Sequence, residues 1–167
     1  MKRVIQRILL FILIILSFAV YLSPEKETQK LDYFASVEEI NGDIHTIKLL
    51  DNNGNLTFSP QKGYAYIEKL YDESLQKPIQ EMYYDQYGNL TKGELGEYGI
   101  ARDYDEDGNN YKITYLDSSG LATVNSAGYS SVIREFNDSG YIIKEIYLSN
   151  LDIPTKLSDG RYGVIYL

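Results

Sequence analysis

One register dominates when the chain is slid along itself: a unit of about 32 residues recurs from residue 33 to the end, and any fold must accommodate it. Gly54, Gly88 and Gly120 each follow an aspartate by three (Asp51, Asp85, Asp117). Gly63, Gly96, Gly128 and Gly160 form a second column, and Tyr71, Tyr104 and Phe136 each fall eight residues after its first three members. Gly42, Gly108 and Gly140 form a third, with Leu75 in the remaining place. Asp and Asn beside Gly are turn residues, because Gly adopts positive φ without cost and short polar side chains bond their own backbone.

Between turns the apolar residues alternate with period two and never hold a 3.6-residue period, so the units are strands. The pattern predicts strands at 34–40, 43–50, 64–71, 77–84, 98–104, 109–116, 129–136, 141–148 and 161–167. The fold class is all-β: an antiparallel hairpin-repeat meander or solenoid, following one N-terminal hydrophobic helix. Alternation places Ile67, Lys69 and Tyr71 on one face with Ile100, Arg102, Tyr104 and with Val132, Arg134, Phe136. Tyr83, Tyr115 and Tyr147 form a column on one face, and Tyr84, Leu116 and Leu148 on the other. With large apolar groups on both faces, a coiled or wrapped meander is expected rather than a flat sheet open to water. The last unit stops at Leu167 with no obvious shielding strand, which suggests a partner there or a relative of longer arrays.

The first 22 residues carry a different signal. Lys2, Arg3 and Arg7 precede a run of low polarity from Ile8 to Leu22, as in an export signal. That run spans about 22 Å as a helix against a ~30 Å hydrocarbon core, and roughly 28 Å if counted from Val4 with Arg7 snorkelling. Ser17-Phe18-Ala19 is a passable cleavage site, but the flanking Phe18, Val20, Tyr21 and Leu22 stay apolar, which favours an uncleaved single-pass anchor. Basic residues ahead of it keep the amino end in the cytoplasm and the repeats outside. Domains are thus expected at 1–22 (transmembrane anchor or signal peptide), 23–32 (spacer) and 33–167 (repeats). If the signal is cleaved, the product is secreted.

Composition narrows the function. The chain has no Cys and no Trp, so thiol catalysis, disulfides and thiolate metal sites are absent. Beyond residue 22 there are 13 basic against 24 acidic groups, a net −11 that repels phosphate backbones, so no nucleic-acid partner is expected. His45 is the single histidine, which removes Ser-His-Asp chemistry and multi-histidine metal sites. An active site is singular while these residues recur in every unit, so no catalytic residues, no enzyme and no cofactor are expected.

Asp103, Asp105, Asp107 and Gly108 spell the opening of a calcium loop, but Tyr111 and Thr114 stand where later ligands belong, so the segment reads as an acidic turn. Asn55-Leu56-Thr57 and Asn89-Leu90-Thr91 match a glycosylation sequon and fall in turns. The candidate ligand-facing surface is the basic and aromatic stripe: Lys69, Tyr71, Arg102, Tyr104, Arg134 and Phe136. Stacked rings with polar tips suit sugars, and repetition would add avidity on a polymer. The competing interpretation is a structural ladder of ring pairs and cations over rings.

Tyr84-Asp85-Gln86-Tyr87-Gly88-Asn89-Leu90-Thr91, Tyr104-Asp105-Glu106-Asp107-Gly108-Asn109 and Phe136-Asn137-Asp138-Ser139-Gly140 resemble the bacterial tyrosine-aspartate repeat proteins, the YD or Rhs-like class. The resemblance implies a bacterial surface or secreted β-repeat, in a class that includes carbohydrate-binding proteins. The expectations for partners are the membrane through the N-terminal segment, and polysaccharide or self-association through the repeats. The alternative function is a passive structural or assembly element, or the truncated remnant of a longer surface repeat protein.

Overall fold

The computed structural model describes residues 32–166. The expected N-terminal anchor and most of the spacer lie outside the described residues. No helix among the described residues is long and apolar enough to cross a membrane.

Nine strands form one antiparallel sheet in strict sequence order. They are β1 (Ala35–Asn41), β2 (Ile44–Leu50), β3 (Tyr66–Asp72), β4 (Lys77–Tyr84), β5 (Gly99–Tyr104), β6 (Asn110–Leu116), β7 (Ser131–Phe136), β8 (Ile142–Leu148) and β9 (Gly163–Ile165). Every expected strand is present, most of them trimmed by a residue or two at their ends. The architecture is an open meander, not a solenoid, with β1 and β9 at its edges.

A single turn design accounts for most reversals. In turns beginning at Asp51, Asp85, Gly93, Asp105, Asp117, Asn125, Asn137, Ser149 and Leu157, the first residue's N–H reaches the fifth residue's carbonyl, and the fourth residue's N–H reaches the first residue's carbonyl. The fourth residue always has positive φ, for example 78° at Gly108 and 77° at Gly140. This is the three-residue hairpin loop closed by a left-handed residue, which strengthens the local twist. Gly54, Gly88 and Gly120, then Gly96, Gly128 and Gly160, and Gly108 and Gly140 are therefore one device used at different places in the unit, while Gly42 and Gly63 sit in turns of other lengths. The side chain at the first position commonly completes it: Asp85 Oδ1 accepts the N–H of Tyr87 and of Asn89 at 2.8 and 2.9 Å.

Two kinds of connection alternate. Short turns close the hairpins β3–β4, β5–β6 and β7–β8, each with a register irregularity beside the turn. The longer links contain two turns each and pair briefly with the strand they leave, through bridges such as Tyr84 with Leu90 and Leu116 with Ala122. A threonine column results: the N–H groups of Thr57, Thr91, Thr123 and Thr155 each donate to the preceding strand at 2.9 Å.

The links also explain why the sheet stays open. Cross-strand register puts Ile67 opposite Tyr83, Ile100 opposite Tyr115 and Val132 opposite Tyr147, so the tyrosine column shares the stripe's face. Tyr64 from one link stacks on Tyr83 at 5.5 Å, and Tyr129 from another meets Tyr115 at 5.4 Å and Tyr147 at 4.7 Å. Apolar area on this face is covered by the chain's own links, so wrapping is not needed to shield it. The core consists of Leu49, Ala65, Ile67, Tyr83 and Val132, together with Leu116 and Leu148 on the far face. Burial lifts the phenol of Tyr83 well above the ordinary tyrosine range, with Glu81 and Glu97 adding to it. On the far face Tyr66 and Tyr84 stack at 4.8 Å, and burial pushes the Tyr84 phenol up to about 12.

Candidate functional site

The predicted stripe lies on one face, but its members have different surroundings. Glu81 on β4 sits opposite Lys69 on β3 and is 6% exposed. Its Oε1 lies 3.2 Å from Lys69 Nζ and 2.9 Å from Arg102 Nη1. The Arg102 contact is an ion pair too far off axis to count as a hydrogen bond. Two units on, Arg134 Nε donates to Glu145 Oε1 at 2.9 Å. Between Glu81 and Glu145 the same place on β6 is held by Ile113, which faces Arg102 and Val132. Sequence reasoning passed over these two carboxylates, although the spacing of Glu81, Ile113 and Glu145 in steps of 32 carries the signal.

The aromatics divide in the same way. Tyr71 stacks on His45 at 4.0 Å, and Tyr104 donates its hydroxyl to the Pro78 carbonyl at 2.9 Å beneath Lys77 Nζ, 5.1 Å from the ring. Lys77 also donates to the Gly108 carbonyl. Desolvation raises the Tyr104 phenol, which stays protonated as a donor at neutral pH. Lys69, Tyr71, Arg102 and Tyr104 thus each meet a partner within the sheet, although Arg102 Nη1 makes no hydrogen bond. Arg134 and Phe136 instead line an open cleft.

That cleft, about 660 Å³, lies between the β5–β6 turn and the β7–β8 hairpin. Asp105, Asp107 and Asn109 form one wall, and Arg134, Glu135, Phe136, Asn137, Asp138, Gly140 and Ile143 the other. Hairpin turns place acceptors and amides on both sides of an aromatic ring. The Asp105 carboxylate is engaged within its own turn, accepting Asn109 N–H at 2.8 Å and Asn109 Nδ2 at 3.0 Å, and these bonds hold it below the usual carboxylate range. Asp107 is exposed on the rim. Asp103 projects from the other face, opposite Lys112, and is exposed there. The three aspartates of the calcium-like motif are thus split between two faces. Among the described residues no group of three or more His, Cys, Asp or Glu side chains converges as a metal site.

Comparison with known proteins finds no matching family model, no similar curated protein and no similar solved structure.

Proposed function

We propose that this chain is an exported, membrane-anchored, non-catalytic repeat protein that binds a cell-wall or extracellular polysaccharide at the cleft between its hairpin turns. The observation that carries this reading is the composition of the cleft, which Phe136 lines together with Asn109, Asn137, Asp107 and Asp138. A planar apolar ring with short polar side chains at its edge suits a sugar ring, which offers one apolar face and a girdle of hydroxyls. Arg134 is neutralised by Glu145, so the wall does not call for an anionic ligand. The export expectation rests on Lys2, Arg3 and Arg7 ahead of the apolar run, and it places the repeats outside the cell.

Pull-down of the full chain on insoluble cell-wall polymers and on a glycan array tests this. Binding that is lost in Phe136→Ala and Asp107→Ala supports it, and retention of wild-type binding in both variants removes the cleft from consideration. Amino-terminal sequencing of the membrane-fraction protein tests the anchor: a start at Val20 means a cleaved signal and a secreted product.

A second reading, a passive or assembly element, is favoured by β9, where Ile165 is 70% exposed and no charged side chain lies on the strand. The opposite edge strand, β1, carries Glu38 and Glu39, charges that discourage edge pairing.

A further inference from the structure

Each of the four links ends in a tight turn before the next strand, the first of them one residue longer than the rest, and one of them carries an unexpected residue. The links carry Tyr64, Glu97, Tyr129 and Arg161 at corresponding positions. Tyr64 and Tyr129 cover the tyrosine column, whereas Glu97 brings a carboxylate to the same layer and is 6% exposed. No ion pair among the described residues involves Glu97, unlike the equally buried Glu81, which has two cations. One carboxylate oxygen has local work: Oε2 accepts the Leu95 N–H at 2.9 Å, a bond that Asn125 makes to Ala127 in the next unit. Among the described residues Oε1 makes no hydrogen bond, and it is not closed off from solvent. Glycine at 93 leaves the room for this arrangement: an added Cβ would lie 2.6 Å from Glu97 Oε1 and 2.7 Å from the Tyr83 ring.

This carboxylate lines a cleft of about 300 Å³ with Gln61, Tyr64, Tyr83, Glu94 and Lys62, the one cation among its described lining residues. Lys62 Nζ lies 5.7 Å from the centre of the Tyr33 ring. A carboxylate in so little-exposed a setting attracts a positive charge more strongly than one in bulk water, so a ligand that supplies the charge is favoured there. Aromatic faces beside an acid are the surroundings that desolvated ammonium groups prefer.

We propose that the Tyr64, Tyr83 and Glu97 cleft binds a small organic ammonium ion, its N–H donating to Glu97 Oε1 while its carbon substituents lie against the tyrosine rings. Glu94 at the rim adds negative potential, and Lys62 is the internal competitor. The site is separate from the cleft at Phe136, and it stands or falls independently of glycan binding there.

The test follows the amide resonances of Gly93 and Leu95 in ¹⁵N spectra of the full chain in detergent micelles. The probes are methylammonium, glucosamine and its neutral counterpart N-acetylglucosamine. Both ammonium probes should shift these two amides saturably, and N-acetylglucosamine should not. Glu97→Gln keeps an oxygen for the Leu95 N–H while removing the charge, and should weaken binding by roughly tenfold or more. Glu97→Tyr, which places here the side chain that two of the sister links carry, should abolish the response. Lys62→Met should strengthen it. Equal shifts from glucosamine and N-acetylglucosamine, unchanged affinity in Glu97→Gln, or no shift with either amine would each overturn the proposal.

Discussion

Asp32 and Ser59 are joined across 27 residues: the Ser59 hydroxyl donates to Asp32 Oδ1 at 2.6 Å, while Oδ2 accepts the Gln61 N–H at 3.0 Å. A residue ahead of the first strand thereby completes a turn between the second and third. The same inward-pointing N–H is satisfied at the equivalent turns by Glu97 and by Asn125. Fully formed turns need an acceptor there, and this chain draws it from three different places.

The Asp32 bond should be visible in its response to acid. Hydrogen bonds from Ser59 and Gln61 hold the Asp32 carboxyl below its ordinary value of 3.8. A depressed folded value means the contribution is fully present above about pH 4 and is lost as pH falls through the folded value. Amide exchange at Gln61, corrected for its intrinsic pH dependence, should be protected at pH 6 and lose that protection below pH 3. Asp32→Asn should remove the pH dependence, and Asp32→Ala should expose the amide throughout.

A wider acid sensitivity follows from the turn aspartates. Asp51, Asp85 and Asp105 are all held low by bonds from their own turns, with the same sign of linkage. Asn125 and Asn137 build the same turn without a charge. Replacing Asp85 and Asp105 together by Asn should therefore leave the neutral-pH fold intact while flattening the loss of stability between pH 4 and pH 2, followed by urea unfolding. An unchanged acid profile would mean these turns do not titrate in the folded range.

Backbone conformation gives a sharper test. Gly108→Val and Gly140→Val place a β-branched residue at positive φ and should each cost about 1 to 3 kcal/mol. Gln76, at φ 53°, already bears such strain, so Gln76→Gly should be stabilising by about 0.5 to 1 kcal/mol. Leu75 is not the strained residue, and Leu75→Gly should gain little. Equal urea midpoints for all four variants would contradict the turn geometry.

Glu81→Ala should be among the most damaging single changes, because it strands Lys69 and Arg102 in a half-buried layer, costing about 2 to 4 kcal/mol. Replacing Glu81 by Ile together with Lys69 and Arg102 by Met should restore most of that loss, as Ile113 shows the place accepts an aliphatic residue. Thermal unfolding of the single and triple variants measures the difference.

The strands and hairpin turns were legible in the sequence because each is set locally, by period-two alternation and by Asp or Asn three residues before Gly. The shared face of Lys69, Arg102 and Arg134 was legible for the same reason. What escaped were contacts made between units: Glu81 reaching both neighbours and Asp32 completing a distant turn. Neither has a local signature, since each depends on which strand lies beside which; Glu97, bonded to Leu95 in place of an absent Asx side chain at Gly93, escaped because a Glu there matches no turn pattern. The expectation of a wrapped sheet failed on a related point, because the links were taken as loops and not as cover for the tyrosine column. Asp152, at φ 56°, fills the place of Gly120 one unit on, so the sequence column ends before the turn does.

The joints between hairpins are interchangeable. β4 meets β5 through Glu81 opposite Ile100, β6 meets β7 through Ile113 opposite Val132, and β8 meets β9 through Glu145 opposite Val164, every pair displaced by 32 residues. Excising residues 99–130 would lead β4 into β7 across a joint of the same register, with Arg134 arriving where Arg102 had stood beside Glu81. The shortened chain should fold cooperatively as a seven-stranded sheet, with a urea m-value reduced in proportion to the surface lost. Length in such a molecule is a count of units, able to change by whole hairpins without redesign of any strand.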